Sequence, residues 1–175
     1  MLDKIYNPLA TNFDTSSDIY STKVIPNNNI NISILNSRWD SMNRISKILE
    51  KEFTKKTFVN KIDTYKINHS EPTEEDLLNH VTDWSHFAIL GLANWGACTA
   101  WSCHDGSEIL KRGVKTILLV TEAFENLAKI TLESRGVADL PYYIFPHQTE
   151  QLSSNELKPY VKDFMEICIS KYIFV

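Results

Sequence analysis

Cys98, His104, Asp105 and His147 carry the group types that catalysis uses. Cys98 follows a small-residue turn, Ala93-Asn94-Trp95-Gly96-Ala97, which itself follows the apolar run Phe87 to Leu92. An amphipathic segment then continues to Gly113. The order reads as strand, tight turn, cysteine, helix. A thiol placed there meets the first free N–H groups of a helix, and the helix dipole favours an anion at that end. A raised thiolate fraction is expected, with the sulfur lifted to the lip of a sheet and open to solvent. Cys98 is therefore the candidate nucleophile; the competing reading is a small core residue at the strand–helix junction. His147 ends a strand just after Pro146 and is the candidate base that a nucleophilic thiol requires. Its alternative is an ordinary turn histidine. His104 and Asp105 lie about one and a half to two turns down the helix and are candidates to orient the site. Their alternatives are a partly exposed helix residue and a structural hydrogen bond. No Cys-x-x-Cys pair occurs, and Cys98 and Cys103 fall on different helix faces, which disfavours a dithiol redox role.

Further groups belong to the same expected pocket. The loop N–H groups of Gly96, Ala97 and Thr99 are placed to hold an oxyanion. Trp95 either stacks on a planar ligand or plugs the pocket. Asn36, Thr121, Glu122 and Phe124 follow other predicted strands and are expected substrate contacts. Thr121 and Glu122 have the competing role of helix caps. The cysteines and histidines lack the paired spacing of a zinc site, so no metal is predicted. The turn has one glycine and no following Lys-Ser/Thr, so no phosphate loop and no cofactor are predicted either.

The elements that position these groups alternate along the chain. Residues 1–29 read as an N-terminal arm rich in Asn, Ser, Thr and Asp, and 30–175 as one α/β domain. Ile30 to Leu35 alternates as a strand does. Asn36-Ser37 is expected to cap a helix from Arg38 to Phe53, where Trp39, Met42, Ile45, Leu49 and Phe53 repeat at helical spacing. A second strand lies within Thr57 to Ile67. Pro72-Thr73 opens an acidic helix ending near Trp84. After Gly113 come a strand over Lys115 to Val120, a helix over Glu122 to Arg135 closed by Gly136, and a strand over Tyr142 to Phe145. A last helix opens at Ser153. Strands separated by helices imply parallel pairing with right-handed crossovers. The expected fold is a three-layer, flavodoxin-like five-stranded parallel sheet of order 2-1-3-4-5. Ligands bind such sheets beyond the carboxyl ends of the strands, so Asn36, Asn94 to Thr99, Thr121, Glu122, Phe124 and His147 should meet on one rim.

Composition narrows the function classes. The chain has 175 residues, 43% hydrophobic and 23% charged, which suits one globular domain. A net charge of -4 gives no footprint for nucleic acid or an anionic membrane. No apolar run reaches membrane-spanning length, and the N-terminus lacks the apolar core of a secretory signal. Three cysteines are too few for a disulfide scaffold, so the expected location is cytoplasmic.

The stretch Ala93-Asn94-Trp95-Gly96-Ala97-Cys98-Thr99, followed by His104-Asp105, Gly113-Val114-Lys115-Thr116 and Thr121-Glu122-Ala123-Phe124, resembles the UGSC family. That family is named for a selenocysteine or cysteine followed by Gly-Ser-Cys, usually with Thr next. The similarity continues through Ala138-Asp139-Leu140 and Pro146-His147. The central motif is also similar to the selenocysteine loop of the substrate-reducing subunits of glycine and proline reductases. There the first motif position attacks the substrate carbon and a nearby cysteine closes the selenosulfide. The resemblance places the family's second motif cysteine on Cys98, its threonine on Thr99, its His-Asp pair on His104 and Asp105, and its Pro-His on Pro146 and His147. The first motif position falls on Trp95, which can neither attack carbon nor form a disulfide, and Ala97 replaces the serine. The resemblance therefore implies the fold and pocket but argues against thiol or selenol redox chemistry. The expected function is a cysteine-dependent enzyme acting on a small acyl, thioester or carbonyl substrate, in the manner of a biosynthetic tailoring step. The alternatives are a catalytically degenerate binding or accessory protein and a subunit of a reductase-like complex. A small-molecule substrate and a homo-oligomer or partner subunit are the expected partners.

Overall fold

The apolar runs form strands: β1 is Ile30–Asn36, β2 Val59–Lys66, β3 Phe87–Ala93, β4 Lys115–Thr121 and β5 Tyr142–Phe145. Between them run α1 (Asp40–Phe53), α2 (Glu75–Trp84), α3 (Gly96–Lys111) and α4 (Glu125–Ser134), and α5 (Ser154–Cys168) follows β5. This is a computed structural model in which residues 21–173 are described. Most of the arm expected over residues 1–29 lies outside the described residues. The strands pair in parallel in the order β2-β1-β3-β4-β5, the flavodoxin-like order expected. Among the described residues, no helix is long and apolar enough to cross a membrane.

Strand alternation feeds two cores. Ile30, Ile32 and Ile34 of β1, Ile89 of β3 and Ile117 and Leu119 of β4 pack under α1 and α5, against Met42, Ile45, Leu49, Phe53, Val161 and Phe164. Leu90, Leu118 and Val120 face the other way, onto Leu78, Val81, Cys103, Ile109 and Leu132 of α2, α3 and α4. β3 is buried along its whole length, as a central parallel strand must be. Its alternation slips by one near the end: Ile89 and Leu92 share the α1/α5 side, and Leu90 and Ala93 share the other. The register with β4 shifts at that point. A Cβ on Gly91 would come within 2.8 Å of Leu119 Cβ, so only glycine fits there without displacement. The slip re-aims the chain just before the turn that carries Cys98.

Two helix starts differ from expectation. α1 begins at Asp40, with Trp39 rather than Asn36-Ser37 at the N-cap. Asn36 Oδ1 accepts the Arg38 N–H at 2.8 Å, a local turn that delays the helix. The capping is supplied from far away: Glu150 accepts the N–H groups of Asp40 (3.1 Å) and Ser41 (3.3 Å) and the Ser41 hydroxyl. At the other start, Glu122–Phe124 forms a 3-10 turn and α4 proper begins at Glu125. α5 begins as read, with Ser153 and Glu156 satisfying one another in a capping box.

Candidate functional site

The parallel order brings the carboxyl ends of β1, β3, β4 and β5 to one rim, with Asn36, the Trp95–Thr99 segment, Thr121, Glu122, Phe124 and His147 along it. Their side chains are put to different uses. Asn36 is buried, and its amide donates to Asn43 Oδ1 and Ser46 Oγ, both at 3.1 Å. It closes the β1–α1 loop and has no group left for a substrate. Thr121 is buried too, its hydroxyl donating to the Ala93 carbonyl at 3.3 Å and latching β4 to the end of β3. Ser37 accepts the Leu92 N–H at 2.6 Å, tying the first loop to the same strand end.

Cys98 is the third residue of α3, and Trp95 is the N-cap, extended at φ -149 and ψ 166. The sulfur turns back under its own loop. Sγ accepts the N–H groups of Asn94 at 3.2 Å and Trp95 at 3.0 Å, and its S–H donates to the Trp95 carbonyl at 3.2 Å. Thr99 adds its N–H (2.9 Å) and hydroxyl (2.7 Å) to that carbonyl. The residue is only 1% exposed. The expectation of a sulfur standing open to solvent is therefore corrected. The third helix position is where a side chain folds back onto the N-cap N–H, as Glu or Gln does in a capping box. Here a short thiol takes that role and the loop closes over it.

His104 and Asp105 sit six and seven residues beyond Cys98, about 10 Å down the helix axis. Asp105 is 1% exposed. Its carboxylate accepts the Thr73 N–H at 3.2 Å, the Thr73 hydroxyl at 2.6 Å and His104 Nδ1 at 3.0 Å. The His104 ring lies edge-on to Trp101 at 5.5 Å. The pair fastens α3 to the segment leading into α2 and does not reach the sulfur. His147 is exposed, and its backbone N–H approaches Glu122 Oε2 at 3.4 Å. β5 is two strands from β3, a separation of about 10 Å. Among the described residues, no acid or base side chain bonds to Cys98 Sγ.

What the rim leaves open is chiefly Trp95, which is 64% exposed. Gly96 and Phe124 are half-buried, and Ala97, Glu122 and His147 are exposed. The other two thiols are core groups. Burial pushes Cys103 up to about 12, and it raises Cys168 as well. Among the described residues, no group of three His, Cys, Asp or Glu side chains could hold a metal ion. Glu150 escaped the reading of the sequence, and Thr73 was read only as the opening of a helix. Their partners lie 109 and 32 residues away, and no local pattern marks either.

The sequence model of the UGSC family matches residues 4–172, nearly the whole chain. No curated protein matches it.

Proposed function

The chain belongs to the UGSC family, and we propose that this member works by binding rather than by thiol chemistry. It is a catalytically degenerate binding or accessory protein whose Trp95 indole contacts a planar ligand at the rim. One observation carries the reading. At the motif position where the family places its reactive selenocysteine or cysteine stands an indole that is 64% exposed, while the remaining motif sulfur, Cys98, is 1% exposed. Both hydrogen-bonding capacities of that thiol are used by backbone. An indole that contributes so little buried area to the fold is available to a ligand. The three cysteines are free, which supports a reducing compartment and hence the cytoplasm.

The test has two arms. Iodoacetamide at pH 7.5 should leave all three thiols intact in the native chain and modify them in denaturant. Planar probes such as nicotinamide and benzoate should quench the Trp95 emission saturably, and Trp95→Ala should abolish that component. Rapid native alkylation of Cys98 together with absence of any saturable quenching would discard the reading.

A second reading has its own support. Two N–H groups converge on Cys98 Sγ, and such donors suit a thiolate nucleophile acting on a small acyl, thioester or carbonyl substrate. In that case Cys98 alkylates faster than Cys103 and Cys168, and Cys98→Ser lowers turnover by orders of magnitude without shifting Tm.

A further inference from the structure

β5 is the outermost strand of the sheet on its side. Tyr143 and Phe145 of β5 face α5; Phe145 is fully buried there, and with no further strand beyond β5, Tyr143 stays partly uncovered. The result is a groove of about 480 Å³ whose lining includes Glu122, Tyr143, Phe145, Pro146, Tyr160 and Asp163. Its wall is aromatic. Tyr143 and Phe145 meet edge-to-face at 5.1 Å and 73°, and Tyr160 lies 6.3 Å from Phe145 and is 37% exposed. Two carboxylates border it. Asp163 is held there by the Tyr143 hydroxyl, which donates to Oδ2 at 2.7 Å. Glu122, which follows β4, also lines the groove. Among the described residues, neither carboxylate forms an ion pair; the five ion pairs all lie elsewhere.

We propose that this groove binds a small organic cation of the alkylammonium class. The charge would meet Glu122 and Asp163, and the alkyl body would lie on Tyr143 and Tyr160. Ring faces carry the negative side of the aromatic quadrupole and attract a cation. Uncompensated carboxylates add to that attraction and repel an anion. A neutral ligand gains apolar contact alone, and an anion is excluded. The net charge of -4 reinforces the preference. Neither Trp95 nor Cys98 lines this groove, so the two proposals can fail separately.

The experiment titrates the full-length chain with n-butylammonium chloride, with the neutral isostere 1-pentanol and with butyrate, by calorimetry or saturation-transfer NMR. Butylammonium should bind saturably, with Kd on the order of millimolar, and the other two at least about tenfold more weakly. Glu122→Gln and Asp163→Asn should each weaken binding about threefold to fivefold, and Tyr160→Ala by a similar factor. Trp95→Ala should leave it unchanged. Tyr160 and Glu122 are on the solvent side, so circular dichroism should show their variants folded. Equal binding of 1-pentanol, no saturable binding of butylammonium below about 50 mM, or full affinity in both Glu122→Gln and Tyr160→Ala would overturn the proposal.

Discussion

At the scale of single residues, one position separates a dithiol from a lone sulfur. Trp95 is the N-cap of α3 and Cys98 its third residue, and in capping geometry those two side chains turn toward one another. Cys98 Sγ already rests 3.0 Å from the Trp95 backbone nitrogen. Residues three apart on a helix are neighbours, about 5–6 Å between Cβ atoms, so a cysteine at position 95 would lie close enough to Cys98 for a small local adjustment to close a disulfide. Trp95→Cys is expected to create an oxidisable pair with Cys98. The wild-type chain has three cysteines, and all should titrate after mild oxidation and unfolding. The variant, with one cysteine more, should titrate four thiols when reduced and two after treatment with oxidised dithiothreitol. If the variant keeps every thiol reduced under those conditions, the sulfur does not lie where the capping geometry puts it.

At the scale of elements, the polar contacts that matter most join pieces distant in sequence. Asp105 holds α3 to Thr73, just ahead of α2, through a carboxylate that is 1% exposed. Asp105→Ala would strand the Thr73 N–H and hydroxyl in a buried site. That should cost about 2–4 kcal/mol, read as a lower urea midpoint at unchanged slope. Asp105→Asn keeps one acceptor and should lose less. Neither change should alter Cys98 alkylation in the native chain, because the latch sits about 10 Å from the sulfur; a change in labelling rate would return the His104–Asp105 pair to the chemistry. The strand–turn–cysteine–helix unit was readable from the sequence because hydrophobic period, turn residues and Gly113 are all local signals; alternation of strands and helices implied parallel pairing, and the order 2-1-3-4-5 is the usual one for a flavodoxin-like sheet. The direction of Cys98 Sγ was not readable. It depends on whether the loop closes over the third helix position, a matter of ångströms that no residue pattern encodes. The Glu150 cap on α1 was equally hidden, since only the finished fold brings it to Asp40 and Ser41.

At the scale of the whole molecule, the two cores each enclose a thiol. Cys103 is carried by α3 on one face of the sheet and Cys168 by the end of α5 on the other. Burial raises both above the ordinary thiol value of 9.0, Cys103 to about 12. Tyr143 is raised above 10.0 by burial and by Asp163, though its partial exposure lets solvent screen the effect. For each group the folded chain favours the neutral form. The unfolded chain releases these protons from about pH 9 upward while the folded chain keeps them. Stability is therefore fully present below pH 9 and falls between 9 and 12. Each thiol that ionises only on unfolding should contribute a slope of about 1.4 kcal/mol per pH unit in that window. Urea midpoints measured from pH 7.5 to 10.5 should be flat at first and then decline. Cys103→Ala and Cys168→Ala should each lower stability modestly at pH 7.5, through the small cavity left behind, and each should flatten the alkaline decline. Because the thiols lie on opposite faces of the sheet, their effects on the slope should add. An alkaline limb as steep in the double variant as in the wild type would mean that other groups set it.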